Sequence, residues 1–221
     1  PGFAYLGQPP RVARRSFGKA IVIGDPVARH DPEWKFSPLP GARMEAEVVA
    51  ETVGASALVG ENATKENLFS AMEARAQSAE LIHFATHGIS DNENPLDGSF
   101  LLLGDGPEPA DGRLLAREIQ DFDLENSPLV VMSACESGLG RKVASEGYLG
   151  LSQAFLQAGA ASVLVSLWPV ETTSAKQLTT GIFARQQADP GLGRARALQA
   201  SILALIDSPG LVDPRTGTVA A

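Results

Sequence analysis

The sequence has one cysteine in 221 residues, fewer basic than acidic side chains, and no long uninterrupted apolar run. Each shortage excludes something. A single cysteine forbids an internal disulfide and a four-thiolate zinc site, and it suits a reducing, cytoplasmic setting. Lys and Arg total 18 against 26 Asp and Glu, a net charge of −8, and the one basic cluster runs only from Arg11 to Lys19. A nucleic-acid-binding surface is basic, so no direct nucleic-acid partner is expected. The longest apolar run, Ala161–Trp168, is strand-sized and far below the roughly 18–20 residues of a membrane helix, so no membrane partner is expected either. No signal peptide is visible, because Arg11, Arg14 and Arg15 lead into a short strand. Hydrophobic residues make up 44% and charged ones 20%, a balance that supports a buried core and argues against disorder. A chain that starts at Pro1 is expected to be cut from something longer.

Residues 1–18, with the pair Pro9-Pro10, read as an N-terminal linker, and 19–221 as one domain. Lys19–Gly24 (KAIVIG) predicts a first buried strand that ends at Gly24-Asp25-Pro26. Four prolines between Asp25 and Gly41 predict an irregular loop. A helix is expected from Arg43, with Met44, Val48 and Val53 on one face, stopping at Gly54. Ala57–Gly60 is a short strand, and Thr64 stands at the N-cap of a helix carrying Leu68 and Met72. Glu80–Thr86 (ELIHFAT) predicts a third strand. A turn-rich stretch from Asn92 to Gly98 then precedes Ser99–Gly104, one arm of a small hairpin. Leu114–Phe122 is expected to be helical. Leu129–Ala134 (LVVMSA) is a fully apolar strand running into Cys135. Ser145 is expected to cap a helix with Leu151, Phe155 and Ala158 that stops at Gly159, and Ala161–Trp168 is a fifth strand. Two helices finish the chain, the second with Leu198, Ile202, Leu205 and Ile206 at helical spacing. Alternating strands and helices predict an α/β fold, a mostly parallel central sheet with helices on both faces.

In such sheets functional residues gather beyond the carboxyl ends of the strands. Here one strand ends in Thr86-His87-Gly88 and another in Ser133-Ala134-Cys135-Glu136. If the two are neighbours, a base and a thiol nucleophile meet at the sheet edge. Gly88 is expected to turn the chain tightly after His87 and to leave an unhindered N–H. With the N–H of Cys135 it would form an oxyanion hole. Taken singly, a cysteine after an apolar strand suits a buried core site, and a strand-end histidine suits a structural role. Their joint placement is what points to chemistry. His83 and His87 have the spacing of metal ligands on a helix, but Phe84, Ala85 and Thr86 lie between them with no glutamate, and the segment is a strand. His83 is expected to pack below His87, tied to a backbone carbonyl. The run Gly138-Leu139-Gly140-Arg141-Lys142 does not meet phosphate-loop spacing, since Val143 follows the lysine.

The runs LIHFATHG at 81–88 and VVMSACESGLG at 130–140, with SEGYLGLSQAFLQAGAASVLVSLWPV at 145–170, resemble the CHAT domain, a caspase-like branch of the cysteine peptidases related to separases. The 48-residue interval between His87 and Cys135 is close to that of the caspase signature. The resemblance implies a caspase-like three-layer sandwich and a cysteine endopeptidase acting on protein or peptide substrates. It makes His87 and Cys135 the catalytic pair and Gly88 an oxyanion-hole residue, with no metal and no cofactor. It implies that Ser166, Leu167 and Trp168 run beside the bound peptide as an added strand. Acidic neighbours such as Glu136 and Asp97 lean towards a basic or neutral P1 residue. The family further implies a regulatory region or partner, often of tetratricopeptide repeats. The other reading of such a domain is an idle scaffold for protein interaction. CHAT sequences continue into a Pro- and Trp-containing final strand. Here the chain stops at Thr218-Val219-Ala220-Ala221, so a domain cut short, or a member lacking that strand, is expected.

Overall fold

Short β-branched and apolar runs become strands here because they can be buried on both faces only inside a sheet sandwiched by helices. The computed structural model describes residues 19–29, 35–75, 79–91, 93–106, 111–124, 128–136, 149–166 and 172–208. In chain order the elements are β1 (Ala20–Pro26), α1 (Pro40–Val53), β2 (Ala57–Gly60), α2 (Lys65–Arg75), β3 (Leu81–Ile89), β4 (Phe100–Leu102), β5 (Arg113–Leu115), α3 (Ala116–Gln120), β6 (Leu129–Glu136), α4 (Leu149–Gln157), β7 (Ser162–Val165), α5 (Thr172–Ala188) and α6 (Arg194–Ile206). Five strands pair in parallel in the order β2-β1-β3-β6-β7. The antiparallel pair β4 and β5 attaches to the carboxyl end of β3. The residues expected to form an N-terminal linker, 1–18, lie outside the described residues.

The two-residue period of the strands sorts their side chains onto two cores. Ile21, Ile23, Ile82, Phe84, Val130 and Met132 meet Leu68 of α2, Ile119 of α3, and Leu151 and Phe155 of α4. Phe84 and Phe155 stack with ring centroids 5.7 Å apart, and burying such a ring contributes about 1.5–3 kcal/mol. Ala20, Val22, Leu81, Ala85, Leu129 and Val131 face α1 and Phe183 of α5. Helix α6 packs outside, against α5. The molecule is thus a three-layer α/β sandwich with helices on both faces of a mostly parallel sheet.

Several elements differ from the sequence expectation, each for a physical reason. The predicted helix Leu114–Phe122 begins as strand β5 and turns helical only at Ala116, because Leu114 pairs with Leu101 across β4. Helix α1 starts earlier, at Pro40, whose fixed φ suits a first helical position. It does stop at Gly54, which takes a left-handed φ of 72°. Its buried face is Ala42, Glu45, Ala46, Val49, Ala50 and Val53, whereas Met44 and Val48 are exposed. Small side chains win because α1 lies tight on β1: a Cβ on Gly24 would stand 2.5 Å from that of Ala46. The same holds for α6, which buries Ala197 and Ser201 and leaves Ile202 and Ile206 exposed. Strand β7 covers Ser162–Val165, shorter than the predicted Ala161–Trp168. The expected cap Ser145 and the residues Leu167 and Trp168 lie outside the described residues. Thr64 does cap α2, its Oγ1 accepting the Asn67 N–H at 3.2 Å.

Candidate functional site

Strand β3 is the axis of the sheet and changes partner on one side along its length. Residues Ala20–Gly24 of β1 pair with Leu81–Ala85. Beyond that the β1–β3 pairing ends, at the point where the pairing of β1 with β2 also shifts register, between Gly24 and Pro26, and β4 takes up Gly88 and Ile89. No strand pairs with Thr86 or His87 on that side among the described residues. The neighbouring strands diverge there, and chain direction from β1 leads one way to β2 and the other way to β3, the kind of switch point where open sheets form clefts. Thr86 closes the floor of the gap by donating its hydroxyl to the Leu102 carbonyl at 2.7 Å.

On its other side β3 pairs with β6 over eight positions, and the register places His87 directly opposite Cys135 and Gly88 opposite Glu136. Adjacent strands lie about 4.8 Å apart, so the two predicted residues are neighbours on adjacent strands at the carboxyl edge. The His87 ring is half-buried. Its Nε2 lies 2.9 Å from the backbone carbonyl of Ser37, and Phe36 packs against it with ring centroids 5.2 Å apart. A carbonyl only accepts, so Nε2 carries the proton of this bond, and in the neutral ring Nδ1 then holds the lone pair. Phe36 also meets Phe100 of β4 edge-on at 6.3 Å, which joins the segment over His87 to the strand beside it.

Gly88 does not turn the chain, contrary to expectation: β3 continues straight through it to Ile89. What requires glycine is proximity, since an added Cβ would sit 3.0 Å from the Cβ of Ala134 on β6. Ser166, just past β7, donates its hydroxyl to the Ala134 carbonyl at 3.1 Å, which ties the segment leaving β7 to the residue before Cys135. Asp97 lies in the β3–β4 connection and is exposed, its carboxylate engaged by Arg117. Among the described residues no group of three or more His, Cys, Asp or Glu side chains is placed to hold a metal ion.

Two turns of pleat below His87 on the same face is His83, fully buried. It is not tied to a backbone carbonyl as expected. Its Nε2 lies 3.2 Å from Oε1 of Glu45, out of line for a hydrogen bond, and its ring meets Phe183 edge-on at 6.2 Å. Glu45, only 2% exposed on α1, accepts hydroxyl hydrogen bonds from Ser133 of β6 at 3.0 Å and Thr179 of α5 at 3.1 Å. A buried carboxylate survives only when compensated, and here three elements, β3, β6 and α5, supply the compensation. Sequence reasoning missed Glu45, although its place in the apolar series Ala42, Ala46, Val49 marks it. Phe36 and Ser37 were also missed, inside a Pro-rich stretch that reads only as loop.

Comparison with known proteins gives these structures a lineage. The family model of the CHAT domain matches residues 5–216. Among curated proteins the chain is similar to tetratricopeptide repeat protein 28 of Homo sapiens, at 31% identity over 78% of this chain, and to that of Mus musculus, at 29% over 81%. It spans only 8% of the length of each. Among solved structures it is similar to the Arg-specific cysteine proteinase gingipain R, with a TM-score of 0.49 and 10% identity, covering 88% of this chain and 44% of that one.

Proposed function

The chain belongs to the CHAT domain family, and on that premise we propose that it is a cysteine endopeptidase domain cleaving protein or peptide substrates through Cys135 and His87. The observation that carries this reading is the register pairing of those two residues at the carboxyl edge of the sheet. In the proposed reaction the Cys135 thiolate attacks the scissile carbonyl carbon while His87 holds the proton. The N–H groups of Gly88 and Cys135 stabilise the oxyanion, each donor being worth about 10²–10³-fold. His87 then protonates the departing amine, and the acyl-enzyme is released by water that His87 deprotonates. The Ser37 carbonyl favours this cycle by leaving Nδ1 as the basic nitrogen.

Substrate would lie along Ser166, Leu167 and Trp168 as an added strand. The Ser166 bond to Ala134 supports the first of these, as it holds Ser166 on the residue before Cys135. Of the two acids assigned to a basic P1 residue, Asp97 already faces Arg117, which leaves Glu136 as the stronger candidate. The two curated relatives are named for tetratricopeptide repeats, and a repeat region in the same or a partner protein is the proposed gate. The reducing compartment that a lone cysteine suits is the cytoplasm. Among the described residues no helix is long and apolar enough to cross a membrane.

The test is to incubate the protein, alone and together with the proposed repeat region, with a proteome-derived peptide library and read new termini by mass spectrometry. The proposal expects termini produced by wild type and absent with Cys135→Ala. Identical termini from both proteins would leave the scaffold reading, a CHAT fold used for protein interaction, in its place.

A further inference from the structure

The base of the proposed site is held by a backbone carbonyl in a segment with no regular structure, residues 35–39, so something must hold that segment. Its far end is held by one side chain. Asp25 Oδ1 accepts the Leu39 N–H at 2.6 Å, and Oδ2 accepts Arg43 Nε at 3.1 Å. Leu39 is the N-cap residue of α1 and has no side-chain cap of its own, so Asp25 supplies that cap from another element, with the sign of charge that a helix N-terminus favours. The placement is costly. Asp25 is the one described non-glycine residue at positive φ, 44°, a region where only Asn and Asp among side-chain-bearing residues settle readily. It falls at the irregularity where β1 leaves β3, and a bulge of this kind re-aims a side chain. Its carboxylate is aimed at the segment whose Phe36 and Ser37 contact His87.

We propose that Asp25 is a positioning residue for His87: by clamping Leu39 N–H and Arg43 it fixes the 35–39 segment, so that the Ser37 carbonyl selects the Nε2–H tautomer of His87. The functional weight of that tautomer rests on the peptidase reading above, but the tautomer itself does not. A carbonyl held within hydrogen-bond reach of one ring nitrogen decides which nitrogen is protonated. A carbonyl free to drift decides nothing, and both tautomers then populate.

The test uses the whole 221-residue protein labelled with 15N in histidine and leucine. Its three histidines give few ring signals, and that of His87 is identified by its loss in His87→Gln. Wild type is expected to show one Nε2–H tautomer for His87 together with a slowly exchanging Leu39 amide. Mixed tautomers, or an unprotected Leu39 amide, in wild type would overturn the proposal without any variant. Asp25→Gly removes the carboxylate while relieving the positive φ, and should average the His87 tautomers and release the Leu39 amide. The His83 ring signals, unchanged, would report an intact core. Asp25→Asn keeps an acceptor for Leu39 and tolerates the backbone, so it should restore the single tautomer. A wild-type His87 spectrum in Asp25→Gly would overturn the proposal.

A second readout separates this inference from the peptidase reading. Iodoacetamide alkylation of Cys135 near neutral pH should slow by up to about 100-fold in Asp25→Gly and recover in Asp25→Asn. If wild-type alkylation is no faster than a model thiol, the dyad reading fails while the tautomer result still decides the role of Asp25.

Discussion

His83 and His87 stand on the same strand and the same face, four residues and roughly 13 Å apart, yet they are built for opposite ends. His83 is sealed between α1 and α5 beside a carboxylate that takes two further hydroxyl donors. His87 is half-buried at the strand edge, with a neutral carbonyl and an aromatic ring as its neighbours. A carboxylate can neutralise an imidazolium and lock it in place. A carbonyl orients the ring through one nitrogen only. The lower pair therefore serves cohesion, tying β3 and β6 to both helices beneath the edge. In the proposed reading the chemistry falls to the upper pair, His87 and Cys135, at the edge of the same two strands.

That contrast can be broken most visibly at the top. His87→Ala and Cys135→Ala should each cut peptide turnover by about 10³-fold or more while shifting the urea midpoint little. Full turnover in either variant would remove the dyad. The lower cluster should answer in the other currency. Glu45→Ala takes the acceptor from the Ser133 hydroxyl and the carboxylate from beside His83, while Thr179 keeps its own helix carbonyls, and leaving buried polar groups unpaired in this way costs about 1–3 kcal/mol in urea unfolding. A loss below about 1 kcal/mol would mean that the cluster is not what holds α1 and α5 down.

Between the two sits Gly88, whose added methyl would press on Ala134 at 3.0 Å. Gly88→Ala should cost about 1–3 kcal/mol by overpacking and also slow Cys135 alkylation, since the strain falls on the strand that carries it. A stability loss with unchanged alkylation would separate the two levels. The smallest effect is expected for Thr179→Val, which removes one of the two hydroxyl donors to Glu45 and should cost about 1–2 kcal/mol without touching turnover.

Much of this architecture is legible in the residues. Strands β1, β3 and β6 announce themselves as short β-rich runs, and the pairing of His87 with Cys135 follows once β3 and β6 are neighbours. Four things were not legible. Leu114-Leu115 fits a strand or a helix, and only the partner strand β4 decides. The inner faces of α1 and α6 were misread because large apolar residues are the obvious choice, whereas close helix approach selects Ala42, Ala46 and Ala197. The Glu45 cluster joins residues 88 and 134 positions apart, and no local pattern carries such a contact. The hold of Ser37 on His87 uses a backbone atom, which has no residue-type signature at all.

The most direct test of the central claim is the rate at which iodoacetamide alkylates this protein across pH, followed by intact mass, for wild type and His87→Ala. With one cysteine in the chain, a single mass increment reports Cys135 alone. The account predicts alkylation near neutral pH well above that of a model thiol, and its loss in His87→Ala, as for a thiolate sustained by a neighbouring base. Alkylation that is slow in wild type, or equally fast without His87, would contradict it.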